Sequence, residues 1–307
     1  MTPDAIPDDA GRAWSAFPAL ILPDPSRIFL ERSHRFAALA KGHCLAGWLA
    51  FLGRLTGVQH ELLQDYPQIP LPGEAVMASA GKQRVPPLAN SFQPRDPSWR
   101  GALLALAGEL SPHAPSAARN TLERLQTMDD EDLEALADRV LQVDLDGAQA
   151  EFLPFIAAAL QVHWTALAAR LERAKIELPD LPGLCPCCGF LPVGAVVSAD
   201  GEAARLRYLH CALCNTQWHL VRVTCAACRD ANRIAYRYIE GSDGAARAET
   251  CDACRSYLKI IYREKSPQAD PVADDLSSLA LDLLVEKAGY NRIGPNLLFV
   301  PGANRPR

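Results

Sequence analysis

Eight of the ten cysteines in this 307-residue chain form four Cys-x-x-Cys pairs, and the last two pairs repeat the first two forty residues on. Cys185, Cys188, Cys211 and Cys214 recur as Cys225, Cys228, Cys251 and Cys254, so each half reads C-x2-C-x22-C-x2-C. An extra thiol, Cys187, lies inside the first pair. Outside the cysteines the match is thin. Gly201 falls on Gly241 and Arg207 on Arg247, as a shared turn and a shared strand require. The repeat predicts two copies of one small metal-holding module.

Four thiolates from two such turns suit a tetrahedral divalent ion, each turn wrapping one edge and aiming backbone N–H groups at the sulfurs. A 22-residue spacer fits a β-hairpin that returns the second turn to the first, as in rubredoxin-like and zinc-ribbon-like modules. Two partitions are open. The sequential one gives Cys185, Cys188, Cys211 and Cys214 to one site, and Cys225, Cys228, Cys251 and Cys254 to the other. It is preferred, because a duplicated unit is most simply a complete unit. A cross-braced partition would pair the first turn with the third and the second with the fourth. An all-thiolate tetrahedral site fits zinc or a single iron, and spacing does not separate them. A [4Fe–4S] cluster suits paired knuckles on hairpins less well. Closed four-cysteine sites are usually structural rather than catalytic.

The residue after each turn carries further information. Gly189 and Asn215 tolerate the left-handed backbone that such knuckles need. Arg229 and Arg255 hold those places in the second module, which predicts less regular geometry there, or arginines that screen thiolate charge. Cys187 reads as a spectator beside the first site, with a reactive thiol as the alternative. Cys44, on an apolar helix, reads as core.

The rest of the chain divides around these modules. Residues 27–64 predict one long helix or a kinked pair, with Phe29, Phe36, Leu39, Ala40, Leu45, Leu49, Leu52 and Leu55 on one face. Arg32, Arg35, Lys41 and Arg54 fill the polar face, and the glycines between 42 and 57 permit close approach of a neighbouring helix. Seven prolines in residues 65–97 predict irregular chain. Helical patterns resume near 98–110, 116–127, 129–143 and 148–176, with Asp129 or Asp130 as a cap for the third. Pro179, Pro182 and Gly183 mark a boundary, after which strand-like runs appear at 205–210, 218–224 and 233–239. An amphipathic helix over 272–289, bearing Leu276, Leu279, Leu281, Leu284 and Val285, is expected to pack on either domain. The expected fold is therefore α+β. A helical domain (1–180) precedes a first four-cysteine module (181–222), a second (223–265), and a C-terminal helix and tail (266–307).

Charge and composition exclude several functions. The formal net charge of -5 argues against a dedicated nucleic-acid binder. Residues 181–265 carry eleven Lys/Arg against eight Asp/Glu, a balance that two M²⁺(S⁻)₄ centres would bring near neutrality. The acidic N-terminal stretch MTPDAIPDDAGRAW has neither the basic region nor the apolar run of a leader. The apolar run from Gly42 to Gly53 falls short of the ~20 residues that span a bilayer. The reading is cytoplasmic without membrane insertion, where thiols stay reduced and bind metal more often than they form disulfides. The acidic segment 123–151 reads as a solvated face, with reception of a basic peptide as the alternative. His34, His43 and His60 lack i, i+4 spacing for a zinc site, whereas His210 and His219 flank the second knuckle and could donate to sulfur. No nucleophile elbow, P-loop or dinucleotide fingerprint is present, so no catalytic residues are predicted.

The stretches Arg35–His43 (RFAALAKGH), Cys185–Gly189 (CPCCG) and Arg207–Cys214 (RYLHCALC) with Trp218, His219 and Arg222 follow one another in order. The second pair of knuckles and Ala288–Gly302 (AGYNRIGPNLLFVPG) complete the set. Together they resemble the formate dehydrogenase accessory protein family, FdhE, over nearly the whole chain. Cys187 departs from the family pattern. The resemblance implies a cytoplasmic assembly factor for respiratory formate dehydrogenase that binds the catalytic subunit before its export by the twin-arginine route. It also implies rubredoxin-like iron sites, which favours iron over zinc as the two mononuclear ions. A rubredoxin-like electron-transfer protein and a zinc-ribbon nucleic-acid binder are the alternatives.

Overall fold

The structure, a computed structural model, describes residues 17–89, 95–199 and 205–300. The acidic N-terminal stretch, Pro94, Gly201 and the Pro301–Gly302 end of the C-terminal motif lie outside them.

The first helical segment is a hairpin rather than one rod. α1 (Ile28–Leu39) and α2 (Ala46–Gln64) are separated by a turn in which Gly42 takes φ +75°, a conformation that glycine adopts without strain. The pair closes tightly because Gly53 has no side chain. A Cβ there would lie 3.3 Å from the Phe36 Cβ, and the Ser33 hydroxyl donates to the Gly53 carbonyl at 2.7 Å. His43 and Cys44 therefore sit in the turn, and Cys44 is exposed rather than core. Arg32 differs from expectation in the opposite direction, being wholly buried on the inner face of α1 beside Phe29 and Phe36.

The proline-rich segment holds one further helix, α3 (Glu74–Gln83), in the proline-free window between Pro72 and Pro86. α4 (Ser98–Leu110), α5 (Ser116–Leu125) and α6 (Asp130–Leu141) follow their apolar periodicity. The Asp129 side chain caps α6 by accepting from the Asp132 N–H at 2.9 Å. α7 (Leu153–Ala168) is shorter than its pattern and buried on almost every side, with α2, α4 and α6 packed around it. The acidic segment is partly neutralised by its neighbours. Glu134 accepts from Arg95, Arg100 and the Trp99 indole, and Arg95 also reaches Asp138.

His163 on α7 gives this core a pH dependence. Burial lowers its pKa to about 4, and its Nδ1 lies 2.9 Å from the Tyr66 hydroxyl. The unfolded chain binds this proton below pH ~6.5, whereas the folded chain does not until about 4. Stability from this site is thus full above pH ~6.5 and falls as pH drops toward 4, by about 3 kcal/mol. Urea titrations at pH 7.0 and 5.0 should show that slope flattened in His163→Gln; an unchanged slope would refute it.

The cysteine region builds one sheet in the order β1-β4-β3-β2-β7-β6-β5. The first module supplies β2 (Pro192–Val197), β3 (Arg207–Cys211) and β4 (Gln217–His219) as an antiparallel meander. The second supplies β5 (Ile234–Arg237), β6 (Ala246–Cys251) and β7 (Ser256–Tyr262) in the same way. Of these strands, β3 and β4 overlap the predicted runs and β5 lies inside one; the 218–224 run ends as strand at His219. The sheet order repeats head to tail. β2 joins β7 in parallel register, Ala195 opposite Ile260, so the modules share one backbone network. The short β1 (Leu20–Ile21) extends the sheet beside β4.

The C-terminal helix is broken at Ser278 into α8 (Pro271–Ser277) and α9 (Leu279–Lys287), and β8 (Asn291–Arg292) returns to β7. Asp270 caps α8 by accepting from Val272 and Ala273. α8 packs on α1, β2 and β7 together, and α9 on β6, so this segment joins both parts of the chain. Leu284 points to solvent, while Leu281 and Val285 pack with Tyr257 and Tyr290. Beneath the helices Lys259, buried on β7, meets Asp275 at 2.9 Å and Asp282 at 2.5 Å, and Arg292 binds the same two carboxylates.

Two glycines lock the layers. A Cβ on Gly183 would collide with the Ala226 carbonyl in the third knuckle, and one on Gly294 with the Pro192 carbonyl on β2. Backbone cannot yield as a side-chain tip does. Gly294→Ala should destabilise by more than ~2 kcal/mol, readable as a Tm loss of several degrees. A wild-type Tm would show that the tail does not seat there. Among the described residues no helix is long and apolar enough to cross a membrane.

Candidate metal centres

The strands bring the thiols together sequentially. Cys185, Cys188, Cys211 and Cys214 place their Sγ atoms within 4.8 Å of one another, as do Cys225, Cys228, Cys251 and Cys254. In the first set Cys185 lies 3.5 Å from Cys214 and Cys188 lies 3.4 Å from Cys211. In the second, Cys225–Cys254 and Cys228–Cys251 are both 3.6 Å. A tetrahedron with metal–sulfur bonds of about 2.3 Å has edges of about 3.8 Å, so both clusters match a four-thiolate cage after small outward shifts. The donor set fits a single divalent ion in each.

Every knuckle uses the same backbone device. Gly189, Asn215, Arg229 and Arg255 have φ of 77°, 60°, 67° and 58°. The N–H of Gly189 donates to the Cys185 carbonyl at 2.8 Å, and that of Arg229 to the Cys225 carbonyl at 3.0 Å. The arginines therefore do not loosen the second module. Arg255 offsets its strained backbone by stacking on Tyr290, 3.9 Å from the ring centroid, and by donating to the Ala288 and Gly289 carbonyls. N–H groups also converge on sulfur, from Leu213 and Cys214 to Cys211 Sγ at 3.4 Å each.

The two clusters differ in setting. All four thiols of the first are buried, whereas in the second Cys228 is exposed and Cys254 intermediate. The cause is the helical domain, which holds the first cluster by its own backbone. Gln161 on α7 donates to the Ala212 carbonyl inside the second knuckle at 2.7 Å. The Leu88 N–H donates to the Cys187 carbonyl at 2.8 Å, and Trp164 donates to the Leu88 carbonyl. Asn215 donates to Thr165 at 2.8 Å and accepts from Arg32 at 2.9 Å. These contacts were not legible in the sequence, where Gln161 and Arg32 look like ordinary helix residues.

Electrostatics argue for a cation. Burial pushes Cys188 and Cys211 well above the usual thiol range. Burial opposes ionisation of Cys185 too, but hydrogen bonds from its cysteine neighbours reverse the balance and hold it well below that range. Without an ion, burial thus opposes ionisation of Cys188 and Cys211; a dication reverses this by bonding each sulfur. In the second cluster burial raises Cys225 to about 12. Cys254, despite some burial, is lowered to about 7 by Ser256 and the neighbouring thiols. Cys187 lies outside the cluster, fully buried, and its hydrogen bond to Cys185 followed by burial keeps its thiol protonated. His210 does not serve a sulfur, since its Nε2 faces Asn215 at 3.1 Å and Arg32 at 3.3 Å. His219 packs against the Tyr208 and Phe17 rings.

Comparison with known proteins matches this architecture end to end. Residues 17–180 match the family model for the FdhE N-terminal part, 184–222 that for the FdhE central domain, and 223–299 that for the FdhE C-terminal domain. A Protein FdhE homolog of Edwardsiella ictaluri is 39% identical over 284 residues, covering 92% of each chain. Protein FdhE of Escherichia coli is 35% identical over 300 residues, covering 97% of this chain and 96% of its own. The crystal structure of the FdhE protein from Pseudomonas aeruginosa superposes with a TM-score of 0.84 at 34% identity, over 93% of this chain and all of that one. With the three domain models in sequence order and relatives matched over nearly their full length, the chain belongs to the FdhE family.

Proposed function

We propose that this protein is a cytoplasmic accessory factor that binds the catalytic subunit of formate dehydrogenase before export and helps it reach its active state, without being an enzyme itself. Family membership is the observation that carries the reading. Each four-cysteine set, Cys185/Cys188/Cys211/Cys214 and Cys225/Cys228/Cys251/Cys254, holds one mononuclear ion in this proposal, iron in preference to zinc. The domain limits near residues 180, 222 and 265 belong to it as well. Supporting it is the way the first cluster is anchored to the helical domain through Gln161, Asn215 and Leu88, which makes the metal part of the fold rather than an appendage.

The deciding experiment removes the gene and measures formate dehydrogenase activity and co-purification of its catalytic subunit with the tagged protein. Lost activity, restored by the intact gene, and recovery of the subunit are expected. Full activity in the deletion strain together with no recovered subunit would reject the proposal. An absorption spectrum with metal analysis of anaerobically purified protein separates iron from zinc.

A further inference from the structure

Beyond the cysteine clusters the molecule has a cavity of about 460 Å³ where α1, the β3–β4 part of the sheet and the β7–α8 connection meet. That lies within the ~300–1,000 Å³ range of small-molecule sites. Three arginines line it, Arg27, Arg35 and Arg263, against two carboxylates, Glu31 and Asp270. The carboxylates are already engaged. Glu31 pairs with Arg27 at 2.6 Å, and Asp270 with the buried Arg32 at 3.0 Å. Arg35 is held by Asp274, which lies behind the wall. The positive charge left over resides on Arg263, which makes no ion pair among the described residues.

Unmade hydrogen bonds collect at the same place. Among the described residues Arg263 Nε and His210 Nδ1, both on lining residues, are buried without a partner, and so is Nη1 of Arg32 next to His210. His210 is wholly buried. Its Nε2 turns toward Arg32 and Asn215, neither of which lines the cavity, and its Nδ1 is left without a partner among the described residues. Orphaned buried nitrogens are rare in folded proteins and signal a missing partner.

We propose that this cavity binds a phosphate group, free or carried by a small molecule. Arg35 comes from α1 and Arg27 from the residue just before it, Arg263 from the loop opposite and His210 from the sheet. Groups arriving from three directions suit a tetrahedral oxyanion with acceptors on every side better than a planar carboxylate, and guanidinium is well matched to phosphate. The ligand bridges α1, the sheet and the β7–α8 connection, so occupancy stabilises the junction between the helical domain and the first cluster by mass action.

The test uses the full metal-loaded chain, with ³¹P NMR line broadening and thermal unfolding read against inorganic phosphate and, separately, adenosine monophosphate. Saturable broadening and a rise in Tm are expected at constant ionic strength, with no such rise in chloride. Tighter binding of the monophosphate assigns a carried phosphate; equal or weaker binding assigns the free ion. Arg263→Gln should weaken binding about tenfold, and the exposed Arg27→Gln severalfold, while Arg173→Gln, remote from the cavity, leaves it unchanged. If phosphate does no more than chloride, or both cavity variants bind like the parent, the cavity holds water and the proposal is overturned.

Discussion

Cys211→Ser should lower the metal content from two ions per chain to one and unfold far more than one hairpin. Structural four-thiolate ions contribute roughly 10–16 kcal/mol of binding free energy in small modules, and most of that is folding free energy. Losing one of four sulfurs opens the closed four-thiolate shell, and burial opposes ionisation of Cys188 within it. The damage cannot stay local, because the knuckle carrying Cys211 and Cys214 is fastened to α7 by Gln161 and Asn215. Stability should fall by ~4 kcal/mol or more, with loss of hydrogen-exchange protection reaching α7. Cys228→Ser offers the contrast. That thiol is exposed, its module forms the far edge of the sheet, and none of those clamps touches it. It should release the second ion while α7 stays protected. Should Cys211→Ser keep two ions, or α7 stay protected after the first ion is lost, the first cluster does not hold the helical domain in place.

A second large effect is expected from Arg207→Met, which tests whether the two modules unfold as one. Arg207 begins β3 and is fully buried, yet its partner Glu249, at 2.5 Å, lies on β6 of the other module. The same guanidinium donates to the carbonyls of Leu220, Val221 and Thr224, and Glu249 also accepts from the Tyr236 hydroxyl at 3.0 Å. Removing the cation strands a buried carboxylate and three carbonyls, a loss of about 3–5 kcal/mol. Arg207→Met combined with Glu249→Met should recover part of it, since a buried pair stabilises little beyond an apolar replacement. Both clusters should then lose metal at a common, lower denaturant concentration. Separate release, with the first cluster unaffected, would mean that the β2–β7 junction does not couple them.

α4, α5 and α6 were legible because each buries one stripe, and Asp129 stands where a cap belongs. Reading failed where a residue's partner lies far along the chain. Arg32 has the chemistry of a solvated face, but Asp270 and Asn215, 238 and 183 residues away, make it interior. β6 and β7 carry Arg247, Glu249 and Lys259, which blur a strand pattern, because each finds a partner within the fold, Arg247 in the Tyr262 ring, Glu249 in Arg207 and Lys259 in Asp275. Cys44 was misjudged since the glycine turn that ejects it is set by α1 packing on α2.

Cysteine spacing alone determined that eight sulfurs belong in sets and that two units of one kind exist, because short turns and hairpins are governed by local chain geometry. Which sulfurs meet, why one cluster is sealed and the other reaches solvent, and the fusion of both units into a single sheet were decided only by tertiary structure. The physical reason is distance along the chain. The groups that hold the first cluster come from α1, α7 and Leu88, and no local pattern encodes a hydrogen bond made across a hundred residues.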